Sequence, residues 1–251
     1  MSTATYTRYE LLRVFRNRQA FIFALAFPIV MYFLLAGPNK GNHNFGGDAT
    51  HHTGLFAPQY YMVGLLAFGA MVAVLSGGAR IAAERTIGWN RQLRLTPLSA
   101  RGYLRTKILS SYLLAGLSIV LLYLAGIVLG VRMPIANWLE MTGLILLALV
   151  PFAALGIAMG HLLNSDASGP AMGGGVSLLA FLGGSWFPIT GGGVFVQFCQ
   201  LLPSYWLVQA GHVGLGADNP WGAKAWIVMA VWSLAMGAFA TWAYRRDTKR
   251  A

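Results

Sequence analysis

The 251-residue sequence predicts an all-α integral membrane protein with six transmembrane helices. Three observations carry that prediction. Hydrophobic residues make up 57% of the chain and charged residues only 10%, with a mean hydropathy of +0.59, where a soluble domain carries about 25% charged residues. Six apolar runs approach the roughly 20 residues a helix needs to cross a hydrocarbon core. Finally, fifteen of the 18 basic residues fall on one side of the resulting topology, as expected when Lys and Arg stay in the cytoplasm.

Taken in chain order, Tyr6–Arg18 places Tyr9, Leu11, Leu12 and Phe15 at helical spacings among arginines. It reads as a helix lying along the inner membrane surface, or as a plain basic flank without regular structure. The first span is Ala20–Ala36. A cleavable leader fits it poorly, because the basic stretch ahead is long and only Leu35-Ala36-Gly37-Pro38 comes after the apolar run. The external loop Gly37–Pro58 holds His43, His51, His52 and one acid, Asp48, with no Cys beside them. That set reads as solvated loop and not as a metal site.

Spans two to six are Tyr60–Ala79, Ile108–Val131, Trp138–Leu163, Ala171–Phe187 and Ala225–Tyr244. Gly126 with Gly130, and Gly156 with Gly160, stand four apart and favour close helix packing within one subunit. Glycines 173–175 and 183–184 lower the helix propensity of span five, as expected of a moving wall. Val194–Leu202 and Tyr205–Leu215 are too short to cross and are separated by Pro203, so they read as an outer re-entrant or interfacial segment. The single Cys199 excludes an internal disulfide.

This topology makes one transmembrane domain of residues 1–251. Its parts are a cytoplasmic interfacial helix (1–19), a cytoplasmic loop (80–107), the outer segment (188–215) and a cytoplasmic tail (245–251). Both termini are expected inside, in the plasma membrane. The net charge of +11 then faces anionic lipid, at about 1 kcal/mol per basic residue near the surface, and calls for no nucleic acid.

The loop carries seven charged residues from Glu84 to Lys107, set between two long apolar runs. Arg80 and Glu84 stand at i, i+4, and Leu93 and Leu95 are apolar residues with no bilayer to enter. Pro97 disfavours helix at Thr96, and Ser99 is placed to cap a new helix leading into span three. The pattern is helix, break, helix. Two readings fit it: insertion into a groove of a cytoplasmic partner, or a basic loop resting on lipid headgroups.

At this point the residues resemble a family. Glu84-Arg85, Gly88, Leu93, Leu95-Thr96-Pro97, Tyr103 and Lys107 resemble the signature of type-2 ABC transporter permeases, the small six-span subunits of drug, lipid and polysaccharide exporters. Ser185-Trp186-Phe187-Pro188 with Leu202-Pro203-Ser204-Tyr205-Trp206 is similar to the family's outer element between spans five and six, where two short helices re-enter the membrane. The resemblance implies that the loop after span two carries a coupling helix seated on a separate ATP-binding subunit. Glu84, Arg85 and Gly88 would lie on that element, with Leu93, Leu95 and Pro97 shaping the segment after it. It also implies a second permease subunit, identical or homologous, and two ATP-binding subunits holding ATP and Mg, with no cofactor in this chain. Spans two and five would face the pathway, making Phe68, Met71, Ser177, Phe181 and Trp186 its lining residues.

Other classes are weighed on residues. No lysine is preceded by a glycine: Lys40, Lys107, Lys224 and Lys249 come after Asn39, Thr106, Ala223 and Thr248. A phosphate loop needs Gly-Lys, so this chain does not supply that motif. The apolar runs hold almost no ionisable residues, which disfavours an ion-coupled carrier. A lone His161 reads as a hydrogen-bonded helix-end residue. No clustered acid, base or metal-binding set marks a membrane enzyme. A structural or regulatory membrane subunit stays open as an alternative to a permease moving hydrophobic or amphipathic compounds outward.

Overall fold

The computed structural model describes residues 3–43, 56–88, 99–189, 193–215 and 220–248. Among these residues all regular structure is helical. The helices are α1 (Thr3–Arg16), α2 (Arg18–Phe21), α3 (Phe27–Ala36), α4 (Ala57–Thr86), α5 (Ala100–Val128), α6 (Ile135–Ala148), α7 (Val150–Leu162), α8 (Ser165–Pro170), α9 (Val176–Gly183), α10 (Val194–Cys199), α11 (Pro203–His212) and α12 (Ala223–Thr248). Single π turns, Ile22–Ala26 and Ala171–Gly175, join α2 to α3 and α8 to α9.

Four stretches are long and apolar enough to cross a membrane: Ala57–Thr86, Gly102–Val128, Ile135–Leu162 and Ala223–Asp247. The third is α6 and α7 together. Pro151 in the first turn of α7 has no N–H to give, and the chain breaks step at Leu149 between them. The first and fifth expected spans are helical but broken by the π turns. The fifth also stops early, at Gly183 instead of Phe187. Gly184 takes the left-handed conformation (φ 78°), its N–H bonds the Phe181 carbonyl and the Ser185 N–H bonds Ala180, a Schellman stop.

α4 is the centre of the bundle. Its apolar window is 94% buried, against 17% for α12, so one is ringed by protein and the other presents most of its apolar surface outward. Close approach is made possible by glycine. A Cβ on Gly78 would lie 2.0 Å from the Gly156 carbonyl oxygen, and one on Gly160 would lie 2.7 Å from that of Gly78. Gly156 and Gly160 therefore pack α7 against α4 within the subunit, as the spacing suggests. Gly126 likewise receives Met62 of α4. Gly130 behaves differently: with φ 94° and open space around its Cβ position, it closes α5 and packs against nothing.

α1 also differs from its expected face. Tyr6, Glu10 and Val14 form its buried stripe, while Tyr9 and Leu12 are exposed. The inward stripe packs on the N-terminal part of α5, where Tyr6 meets Tyr103 with rings 6.0 Å apart. The segment expected to be outer holds two short helices, α10 and α11, with Pro203 in the first turn of the second.

Candidate coupling site

Within the cytoplasmic stretch expected from Arg80, helix runs on from span two as far as Thr86 and resumes at Ala100, the two helical ends of the expected helix, break, helix pattern. Helix extends past the apolar runs because its charges are paired inside the protein. Lys107 is 1% exposed and sits between two carboxylates, with Nζ 2.7 Å from Glu10 Oε1 and 2.6 Å from Glu84 Oε1. The Tyr103 hydroxyl donates to Glu84 Oε2 at 2.8 Å, and Arg13 reaches Glu84 Oε1 at 2.8 Å from a half-exposed position. Arg80 lies 3.6 Å from Glu10 and donates to Ser76 and Ser111. Burial first, then the negative charge of Glu84 and Glu10, pushes the Tyr6 hydroxyl well above its ordinary pKa. This knot of two carboxylates and three cations ties α1, α4 and α5 together. The carboxylates are satisfied from several sides, the condition for keeping charge in a dry interior.

One residue further along, Arg85 makes a second knot on the opposite flank. Its guanidinium donates to the carbonyls of Gly160 and Leu163 at 3.0 and 3.2 Å and pairs with Asp247 at 2.8 Å. It thereby caps the carbonyl end of α7, where a cation is favoured, and links that end to α12. His161 Nδ1 lies 2.9 Å from the other Asp247 oxygen, so the helix-end histidine is hydrogen-bonded, as its position in the sequence suggests. Gly88 then stops α4 with φ 72°, and Ser99 Oγ accepts from the Gly102 N–H to cap α5, the expected cap.

Glu84 and Arg85, read from the sequence as coupling residues, are thus placed at the root of the connecting segment, facing partners within the chain. Glu84 is 2% exposed and has no free face to present to another protein. Leu93, Leu95 and Pro97, with the helix break read there, lie outside the described residues, as do His51, His52 and Asp48. Of the residues expected to line a pathway, Phe68 and Trp186 meet with rings 5.8 Å apart, and Phe68 also meets Phe27. Met71 is enclosed in the core, Ser177 is half-buried and Phe181 points outward. The sequence reading missed Glu10 and Asp247. Glu10 was detectable: it is one of only seven acids in the chain and stands four residues from both Tyr6 and Val14, on an apolar stripe.

A bundle of long apolar helices whose charged ends are tied together by ion pairs is that of a multi-pass membrane protein. The sequence comparisons give the class: a family model described as ABC-2 family transporter protein matches residues 51–242. The chain belongs to that family and is a membrane transport permease subunit. It is 28% identical over 237 residues to YvfS of Bacillus subtilis (strain 168), a chain named as a transport permease, covering 93% of this chain and 85% of that relative. No solved structure matches the chain significantly. As for other members of the family, an ATP-binding subunit is the general partner.

Proposed function

We propose that the chain is the membrane-spanning permease of an ATP-driven exporter, moving a hydrophobic or amphipathic drug- or lipid-like compound outward across the plasma membrane. Its termini and the segment between α4 and α5 face the cytoplasm. Two copies of a separate ATP-binding subunit, which hold ATP and Mg, dock on that segment. A second permease, identical or homologous, completes the pathway beside α4 and α9, while α10 and α11 dip into the outer leaflet.

The observation that carries this reading is the pair of ionic knots at the root of the segment. Residues 87–99 leave α4 immediately after Glu84 and Arg85, whose partners lie on α1, α5, α7 and α12. A push on the segment is therefore delivered to five helices at once. Such stiffness suits a part that converts closure of a cytoplasmic ATPase into movement of a bundle, since ionic and packed contacts switch between discrete arrangements instead of bending.

The test is co-purification with a co-expressed ATP-binding subunit. Leu93→Ala and Leu95→Ala should insert normally and weaken the complex about tenfold, the scale of losing an apolar anchor at about 1.4 kcal/mol. Wild-type association in both variants, or a native chain that captures no ATPase, would remove the docking assignment.

A further inference from the structure

At the end of the bundle that carries the α4 N-terminus, a cavity of about 180 Å³ lies between α4, the end of α9 and α11. Its frame is rigid. The Tyr60 hydroxyl donates to the Gly184 carbonyl at 3.0 Å, the left-handed turn at Gly184 is closed by two backbone hydrogen bonds, and Gly183 packs so tightly on the Ser204 backbone that a Cβ would lie 2.7 Å from its carbonyl oxygen. Tyr60, Tyr205, Gln209 and His212 bring aromatic faces and polar atoms to the wall, and none of the residues lining the cavity carries a fixed charge.

The polar atoms have a defined sense. His212 Nδ1 lies 3.1 Å from the Val208 carbonyl. A carbonyl only accepts, so Nδ1 carries the proton and Nε2 presents a lone pair. The imidazole is half-buried. Its ring is 5.5 Å from that of Tyr60. The half-buried Gln209 adds an amide able to donate and accept.

We infer that this cavity is a binding site for a small uncharged aromatic group bearing an N–H or O–H donor, its ring against Tyr60 and Tyr205 and its donor on His212 Nε2. Size, charge and polarity each restrict the occupant. At about 30 Å³ per water the space holds roughly six waters, the scale of one ring system, below the roughly 300 Å³ at which drug-sized pockets begin. An ion would be desolvated here with no counter-charge. A purely apolar ring would leave the imidazole lone pair and the Gln209 amide without partners. The inference deepens the exporter reading by naming one moiety of the transported compound, and it rests on that reading only for the word transported.

Indole and 1-methylindole are the probes, because they share a ring system and differ in the single N–H. Binding to the full chain in detergent micelles, measured by ligand-detected NMR with empty micelles as the reference, needs neither ATP nor a partner. Indole should bind saturably and at least fivefold tighter than 1-methylindole. His212→Phe, and separately Gln209→Leu at its half-buried position, should each weaken indole at least fivefold and reduce the preference over 1-methylindole. Equal, non-saturating uptake of both probes, or indole binding unchanged in both folded variants, would overturn the site. A site confirmed this way in a chain that captures no ATPase would stand while the exporter reading fell; the reverse pattern would leave the exporter reading intact.

Discussion

Lys107 is one ammonium shared by two buried carboxylates, and its removal would strand both. Truncating one partner of a buried ionic group costs about 3–5 kcal/mol, so Lys107→Ala should lower the thermal midpoint in detergent sharply. Arg13 touches the same Glu84 oxygen from a side chain 48% exposed, where exposed pairs contribute about 1 kcal/mol or less. Arg13→Ala should therefore shift the midpoint little, and equal losses in the two variants would contradict the burial argument. Glu84→Ala falls between them, because Lys107 keeps Glu10 at 2.7 Å. Loss of transport in that variant would report damage to the root of the segment and not to a docking surface. The family resemblance singled out Glu84 and Arg85. It did not disclose that both turn inward, since their partners lie between 19 and 162 residues away.

At the scale of elements, glycine has three distinct uses here that look alike in a string of letters. Gly78 and Gly156 allow helix backbones to touch, Gly88, Gly130 and Gly184 end helices in the left-handed conformation, and Gly173–Gly175 have open space where a side chain would stand. Substitution separates them. Gly78→Ala forces a Cβ to within 2.0 Å of the Gly156 oxygen, so α4 and α7 must part, at about 1–3 kcal/mol or more. Gly174→Ala meets nothing and should instead stabilise the chain by up to about 1 kcal/mol through helix propensity. Thermal melts of the two variants should move in opposite directions; a loss of equal size in both would mean that the Gly174 position is not open. Four-residue spacing correctly marked Gly156 and Gly160. It misread Gly130, because spacing reports which face a residue occupies and carries no record of backbone dihedral.

For the whole molecule, the charge asymmetry makes a topological prediction. Asn42 and Thr86 are exposed at opposite ends of the bundle, near the two ends of the region that includes α4. Cys199 is fully buried, so an introduced cysteine will report alone. A membrane-impermeant maleimide should label Asn42→Cys in intact cells and Thr86→Cys only after lysis. The reversed pattern would invert the proposed orientation and place the connecting segment outside. The sequence also left the hierarchy of spans unresolved. Each apolar run satisfies the same length and hydropathy requirement, and nothing in hydropathy separates a helix ringed by protein from one ringed by lipid, because both environments favour apolar side chains.

Composition, run length and the distribution of Lys and Arg were enough to make this chain a polytopic helical membrane protein, and charge was enough to draw attention to the stretch from Glu84 to Lys107. Those features are local or additive, so they survive in one dimension. Tertiary structure alone decided that α4 is central, that α1 turns Glu10 inward, that Arg85 caps α7 and that His212 lies beside a cavity. Each depends on groups distant in sequence coming together, the ionic ones within 2.6–3.6 Å. Such contacts arise from packing, and packing is set by the whole bundle.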